Sequence, residues 1–234
     1  MQPVLPFLIL AAATGVQAQE APKPTAHFLS AVELDASRIL PPPPAAGSPA
    51  AGAELAEVRA VIAARTPQSL AHAKSDDAIK DASIFADAMG AGFDLKALPA
   101  TAKLMAEVRV EEKAAADAAK AVFKRQRPWI VDDKLESCSR EDAPLTSYPS
   151  GHSTMGFSMA VVLADIAPSH APALLARAKD YAESRMVCGM HFRSDIVAGQ
   201  VLGTSVALEL LRNPAFVADR DAAAAELKAA KLAP

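Results

Sequence analysis

Apolar residues recur at intervals of three and four along much of the chain, which is the spacing that places them on one face of an α-helix. The clearest stripe lies within residues 101–126 and consists of Leu104, Met105, Val108, Ala115, Ala119, Val122 and Phe123. The predicted helices cover residues 30–38, 53–65, 68–89, 101–126, 149–166, 171–185, 194–211 and 215–232. Residues 129–148 show neither this spacing nor the alternation of a strand, so we predict a loop there.

The composition favours the same fold class. Hydrophobic residues make up 51% of the 234 positions, but aromatic residues only 5%. Alanine supplies much of the apolar fraction, which favours close-packed helices over a β-sandwich rich in aromatic and β-branched residues. A chain of this length can bury a full core, and no repeat or linker divides it. We therefore predict an all-α fold, a single-domain helical bundle.

The N-terminus carries an uncharged, mostly apolar run at residues 3–16, followed by Val16 and Ala18 at the −3 and −1 positions that signal peptidase prefers. We predict that residues 1–18 are a secretory signal peptide, that residues 19–234 form the catalytic domain, and that the protein is periplasmic or secreted. The alternative is a short buried segment, since no Lys or Arg precedes the run.

Two further apolar runs, 155–167 and 196–211, are candidates for membrane spans by hydropathy. The first contains Asp165 and the second contains Gln200 and Glu209. A span needs about 20 predominantly apolar residues. We interpret both runs as buried helices and expect no membrane partner.

The formal net charge of −3 provides no basic field for a nucleic acid polymer. An anionic ligand must therefore be bound by a local group of cations. The cysteines are Cys138 and Cys188. In an oxidising compartment they are a candidate disulfide worth about 4 kcal/mol, and the alternative is two buried thiols.

Three short clusters carry candidate chemistry. Lys120 and Arg127 lie two turns apart, and Pro128 forces Arg127 out of the helix, so both cations are presented near a helix exit. Ser150 and Gly151 precede a helix whose free N–H groups form an anion site, which Gly151 lets a ligand approach closely. Whether Ser150 caps this helix or binds a phosphate oxygen is open.

The third cluster contains Arg185, His191 and Asp195. Residues four apart share one face of a helix, so Asp195 can accept from one ring nitrogen of His191. The other nitrogen is then a nucleophile or base. With His152 for proton transfer, the three clusters together predict a site for phosphoryl transfer.

The remaining polar residues are predicted to lie outside this site. Lys124 and Arg125 are interpreted as a solvated charged face, and His27, His72 and His170 as isolated histidines rather than ligands. There is no carboxylate cluster for two cations, no Walker A loop and no Gly-x-Ser-x-Gly elbow, so we expect neither a metal nor a cofactor.

The motifs Lys-x6-Arg-Pro (120–128), Pro-Ser-Gly-His (149–152) and Ser-Arg-x5-His-x3-Asp (184–195) together resemble the signature of the type-2 phosphatidic acid phosphatase and vanadium haloperoxidase superfamily. Within it the chain is similar to the bacterial class A non-specific acid phosphatases. Supporting features are the proline run 41–44, Ser147-Tyr148, Cys188-Gly189 and the Asn-Pro-Ala-Phe stretch at 213–216. Phe192 stands where relatives often have Trp.

The resemblance implies that His191 attacks phosphorus to form a phosphohistidine while Asp195 orients its ring. His152 would protonate the leaving alcohol and then activate water. The phosphoryl oxygens would be held by Lys120, Arg127, Ser150, Gly151 and Arg185. The resemblance also implies that the substrates are small-molecule phosphate monoesters such as nucleotides, sugar phosphates and aryl phosphates. It further implies phosphotransfer to alcohols as a second activity, and a homo-oligomer. The alternatives are a vanadate-dependent haloperoxidase, a lipid phosphate phosphatase, and a binding module without turnover.

Overall fold

The computed structural model describes residues 27–30, 32–33 and 35–234, and within these ranges the secondary structure is entirely helical. The predicted signal peptide lies outside the described residues. Two short 3₁₀-helices occur at Ala82–Phe85 and Pro168–His170. The α-helices are α1 (Ala36–Ile39), α2 (Pro49–Ala64), α3 (Pro67–Ala78), α4 (Ala86–Met89), α5 (Pro99–Phe123), α6 (Pro128–Val131), α7 (Gly151–Ile166), α8 (Ala171–Val187), α9 (Arg193–Leu210) and α10 (Pro214–Ala229).

The predicted all-α class is confirmed, but three predicted segments are wrong in detail. Of the helix predicted at 30–38, the described residues contain the single turn α1, where Asp35 is the N-cap and accepts from the amide of Ser37. The helix predicted at 68–89 is broken because Ile79 is extended and Asp81 caps a new 3₁₀ turn. The loop predicted at 129–148 begins with α6, since Pro128 is pre-organised for the first helical position.

Helix α5 ends three residues earlier than predicted. Lys124 adopts the left-handed conformation (φ 46°) and terminates the helix. Arg127 then has an extended backbone and precedes α6 as its N-cap. The chain therefore leaves α5 in a short extended stretch that carries two arginines, Arg125 and Arg127, toward the centre of the molecule.

Helix α7 forms the centre of the bundle and packs against α5, α8 and α9. Its contact with α9 is unusually close. A Cβ on Gly199 of α9 would lie 2.6 Å from the Ser150 carbonyl oxygen, so only glycine allows this approach. The contact is completed by the Ser150 amide, which donates to the Asp195 carbonyl at 2.9 Å. The start of α7 and the start of α9 are thus held together directly.

A disulfide joins Cys138, in the loop after α6, to Cys188 at the end of α8, with a Cα–Cα distance of 4.9 Å. The predicted pairing is confirmed. The Cys138 amide also donates to the Cys188 carbonyl at 2.9 Å. The bridge fixes the 132–148 loop beside the segment that follows α8.

Among the described helices, none taken alone has both the length and the apolar composition of a membrane span. Helices α9 and α10 meet these criteria only as a pair, which is bent by 93°.

Candidate active site

A cavity of about 290 Å³ opens between α5, α7, α8 and the loops beside them. The structure brings all the predicted site residues to it. The residues that line it directly are Lys120, Arg127, Gly151, His152 and His191. Behind this lining lie Ser150, Arg185 and Asp195, each at most 1% exposed.

His191 reaches the cavity because α8 ends abruptly. Gly189 has a left-handed backbone (φ 64°), and a Cβ there would lie 2.8 Å from the Glu136 carbonyl oxygen. The Met190 amide then donates to the Arg185 carbonyl at 2.9 Å, which closes the helix end. This turn directs the chain back across the cavity, so that His191 is 2% exposed between α8 and α9.

The two ring nitrogens of His191 have different neighbours. Nε2 lies 2.9 Å from Nη1 of Arg127. Because a guanidinium only donates, Nε2 must be the lone-pair nitrogen and the proton must be on Nδ1. Nδ1 faces Asp195 at 3.4 Å from Oδ2 and has no aligned hydrogen-bond partner among the described residues. The ring therefore presents its unprotonated nitrogen to the cationic side of the cavity.

Asp195 is fully buried and is held from three directions. Its Oδ2 accepts from the Ser147 hydroxyl at 2.6 Å and from the Phe192 amide at 2.8 Å. Its Oδ1 accepts from Nη1 of Arg125 at 2.6 Å. Burial raises the pKa of Asp195 to about 6, and the positive charge of Arg125 opposes this rise. The carboxylate is thus fixed beneath His191 by its partners.

The predicted solvent exposure of Arg125 is wrong. Its side chain is 9% exposed, pairs with both Asp195 and Glu54 (2.6 Å each), and lies 4.2 Å over the Phe192 ring. Its burial follows from the early end of α5. In an extended stretch alternate residues face the same side, so Arg125 follows Arg127 inward. Lys124 is exposed as predicted.

Arg127 is buried against several acceptors. It donates to the Met190 carbonyl and to the Thr146 hydroxyl, each at 3.1 Å, and it pairs with Asp142 at 3.1 Å. Its Nε, like the Nε of Arg185, is buried with no acceptor among the described residues. Unpaired buried guanidinium N–H groups are costly, and an oxyanion would satisfy them.

Lys120 completes the cationic group from α5. A Cβ on Gly151 would lie 3.2 Å from the Lys120 Nζ, so the amine sits directly against the start of α7. Burial, and then the charge of Arg127, lower the pKa of Lys120. The Ser150 hydroxyl accepts from the Ser153 amide at 3.4 Å and so acts as a helix cap.

His152, the second residue of α7, lines the same cavity. Its Nε2 is 3.4 Å from the carbonyl oxygen of Asp77 and 3.6 Å from its Oδ1, which also accepts from Nη1 of Arg185 at 2.5 Å. Burial, and then the positive charge of Arg185, hold the pKa of His152 well below its usual range. Asp77 was not singled out from the sequence, where the only available signal was its place in the acidic pair with Asp76.

The pKa of His191 is also held well below its usual value, by burial first and then by the charges of Arg127, Arg185 and Lys120. The lowered pKa favours the unprotonated imidazole, whose lone pair is needed for attack. An imidazole lone pair beside a group of cations, with a second imidazole lining the same cavity, has the parts needed for phosphoryl transfer.

The interpretation of His72 as an isolated histidine is wrong. Its Nε2 lies 2.8 Å from Oδ2 of Asp180 and 3.4 Å from Oδ2 of Asp76. These three side chains have the spacing of a metal site, but Asp76 already accepts from Arg177 and from the Ser184 hydroxyl. His170 bonds the Ala88 carbonyl through Nδ1 at 3.0 Å.

Comparison with known proteins agrees with a site for phosphoryl transfer. The PAP2 superfamily model matches residues 108–217. An acid phosphatase of Zymomonas mobilis subsp. mobilis is 32% identical over 90% of this chain and 80% of its own length. A non-specific acid phosphatase of Providencia stuartii is 28% identical over 83% of this chain and 82% of its own length.

Among solved structures, a transmembrane PAP2 type phosphatidylglycerolphosphate phosphatase from Bacillus subtilis is similar, with a TM-score of 0.48 and 19% identity over 76% of this chain and 88% of that one.

The chain therefore belongs to the PAP2 superfamily, among relatives that are acid phosphatases. It is a phosphatase and hence a hydrolase, and the resemblance drawn from its three motifs is confirmed.

Proposed function

We propose that the protein hydrolyses small phosphate monoesters, including nucleotides, sugar phosphates and aryl phosphates, without a metal ion and through a phosphohistidine on His191. The observation that carries this proposal is the contact between Nε2 of His191 and Arg127, 2.9 Å apart. A phosphoryl oxygen that binds the guanidinium brings phosphorus within reach of the lone pair on Nε2.

In the first step, Nε2 of His191 attacks phosphorus in line and forms an N–P bond as the ester P–O bond breaks. The leaving oxygen takes a proton from His152, so the alcohol departs neutral. The developing positive charge on His191 is stabilised by Asp195, which lies 3.4 Å from Nδ1. Asp195 thus acts on the nucleophile and makes no contact with phosphate.

In the second step, the now neutral His152 accepts a proton from water as the water oxygen attacks the phosphohistidine. The P–O bond forms, the N–P bond breaks, and His191 regains its lone pair while phosphate leaves. An alcohol that replaces water in this step gives phosphotransfer.

The phosphoryl charge is balanced by Lys120, Arg127 and Arg185, with the free amides at the start of α7 as further donors. Metal independence is inferred from this donor set, because cations and N–H groups bind phosphate oxygens directly and offer no ligand to a metal. The cavity volume of about 290 Å³ lies at the low end of the usual range for ligand pockets and fits a small ester better than a two-chain lipid.

We further propose that residues 1–18 direct export and are removed, so that residues 19–234 act in the periplasm or outside the cell. The apolar run 3–16 followed by Val16 and Ala18 supports this. N-terminal sequencing of protein recovered from the periplasm or medium tests it, with Gln19 as the expected first residue.

The test of the activity is phosphate release by the purified protein from phenyl phosphate, AMP, glucose 6-phosphate and a diacyl phosphatidic acid in vesicles. We expect release from the three small esters and little from the vesicles. Release from the vesicles alone would overturn the proposed substrate class.

A further inference from the structure

The end of the cavity farther from Lys120 is also lined by cations. Lys80 follows α3, while Arg109 and Lys113 lie one turn apart on α5. Arg109 precedes Lys120 by three turns, so the two side chains share a helix face and their backbones lie about 16 Å apart along the axis. We call the part of the cavity lined by Lys80, Arg109, Lys113 and Tyr181 the distal end.

The distal end lies on the side of the cavity where an alcohol would leave. The Tyr181 ring centroid is 5.5 Å from that of His152, the proposed general acid. The Tyr181 hydroxyl donates to the carbonyl of Ile79, the residue before Lys80, at 2.5 Å. Lys80 is also near enough to contribute to the lowered pKa of His152, after the larger effects of burial and Arg185. Groups bonded to the leaving oxygen therefore face the distal end.

Arg109 is held in place at the cavity wall. Its Nη1 pairs with Oε1 of Glu112, whose side chain is completely buried, whereas 30% of the Arg109 side chain is exposed. A buried carboxylate behind a partly exposed guanidinium fixes its orientation and leaves its other donors available.

The charges at the distal end do not cancel. Glu112 compensates Arg109, and Asp117 compensates Lys113. Within the described part of the chain, Lys80 has no ion-pair partner. The cavity is thus cationic at both ends. One phosphoryl group needs only Lys120, Arg127 and Arg185, which we call the inner cations.

We propose that the distal end binds a second anionic group, a carboxylate or a phosphate, carried by the leaving alcohol of the substrate. Arg109 and Lys80 are the specificity-determining contacts. This inference rests on the proposed phosphatase function, and it names alcohols that carry a carboxylate or a phosphate as the preferred leaving groups.

Two substrate pairs test it. 3-Phosphoglycerate is compared with glycerol 3-phosphate, and fructose 1,6-bisphosphate with fructose 6-phosphate, by kcat/KM for phosphate release. The first pair adds a carboxylate and the second a phosphate, so the two arms distinguish the anions. We expect the wild-type protein to prefer the more anionic member of at least one pair, and the preference to fall as salt is added.

Arg109→Met and Lys80→Met are each expected to lower that preference about two- to fivefold, the range for partly exposed ion pairs, mainly through KM. Arg109→Lys keeps the positive charge and should retain part of the preference for the more anionic substrate. Lys103→Met is the matched control, because Lys103 lies on α5 but pairs with Asp219 and Glu107 outside the cavity. Lys80 is exposed, so Lys80→Met should fold and can still test the inference even if removal of Arg109 destabilises the fold.

A wild-type preference below twofold in both pairs overturns the inference, as does a preference that both Arg109→Met and Lys80→Met leave unchanged. Phenyl phosphate serves as the reference ester. If the wild-type protein releases phosphate from none of the esters, the proposed function itself fails, and the inference falls with it.

Discussion

Arg127 donates to the imidazole of His191, with Nη1 lying 2.9 Å from Nε2. One contact thus fixes both the tautomer of the ring and the position of the nearest cation. The same guanidinium has an unsatisfied Nε, so it has a further donor for an anion when Nε2 of His191 leaves Nη1 to attack phosphorus.

His191→Ala should abolish turnover of every ester, because the proposed mechanism assigns the attack on phosphorus to His191 and only proton transfer to His152. The label from a ³²P-labelled ester should also disappear from the protein. Peptide mapping after a quench that spares acid-labile phosphoramidates checks this. Label on His152, or turnover that persists in the variant, would contradict the proposed roles.

His152→Ala should be selective among substrates. Esters of alkyl alcohols need a proton on the leaving oxygen and should lose about 10²–10⁴-fold in kcat, the usual contribution of a positioned acid. Nitrophenyl phosphate has a good leaving group and should still label His191 at a measurable rate. Burst kinetics with both substrates provide the comparison, and equal losses would argue against an acid role.

The activity should have an acidic optimum. Burial and Arg185 lower the pKa of His152, so the protonated acid is lost as pH rises through that lowered value. The pKa of His191 is lowered as well, so protonation of the nucleophile becomes limiting only at more acidic pH than for an ordinary histidine. The pH profile of kcat/KM for an alkyl phosphate should therefore fall on the alkaline side. A rate that climbs steadily above pH 8 would refute this assignment.

Arg125→Met should reduce both stability and activity. It leaves Asp195 and Glu54 without their common partner, and breaking a buried pair costs about 3–5 kcal/mol. Urea unfolding measures this, with Lys124→Met as the exposed neighbouring control.

The Arg125 variant should also change the dependence of stability on pH. The folded pKa of Asp195, about 6, is above its unfolded value, so the free energy of unfolding contributed by this group falls as pH rises between about 4 and 6. Loss of Arg125 raises that pKa further and should extend the decline toward neutral pH. A variant whose stability tracks the wild type across this range would show that Arg125 does not hold Asp195 ionised.

Activity should survive exhaustive chelation. The inner site offers cations and N–H donors to the phosphoryl oxygens, and the His72, Asp76 and Asp180 group is already occupied by Arg177. Phosphate release is measured before and after dialysis against a chelator. Loss that Mg²⁺ or Zn²⁺ restores would mean that a metal takes part.

The fold class and the inner site could be predicted because both depend on short-range spacing. Lys120 and Arg127 are seven residues apart and His191 and Asp195 four, so each pair stays close even though α5 ends at Phe123 and α9 begins only at Arg193. Arg125 could not be placed correctly from its residue type, because its burial depends on where α5 ends. That end is set by the conformation of Lys124, and the partner Glu54 lies on a distant helix.

Asp77 and the distal end were missed for a related reason. Asp77 meets Arg185 and His152 only after α3 packs on α8, and Lys80 and Arg109 meet only as lining residues of the folded cavity. Contacts between segments so far apart in the chain produce no periodic pattern of residues in the sequence, so they cannot be predicted from it. The break of the predicted 68–89 helix at Ile79 precedes the cap at Asp81 and leaves Lys80 beside the cavity.

The close contact at Gly199 limits which parts of the protein can be substituted to alter its substrate range. The Ser150 amide donates to the Asp195 carbonyl beside this contact, so the turn proposed to bind the anion is tied directly to the residue proposed to support the nucleophile. A linkage of this kind pays no reorganisation cost during the reaction, but it tolerates little alteration. New substrate ranges should therefore arise on the α5 wall and the loop after α3, which can be remodelled while the chemistry is left intact.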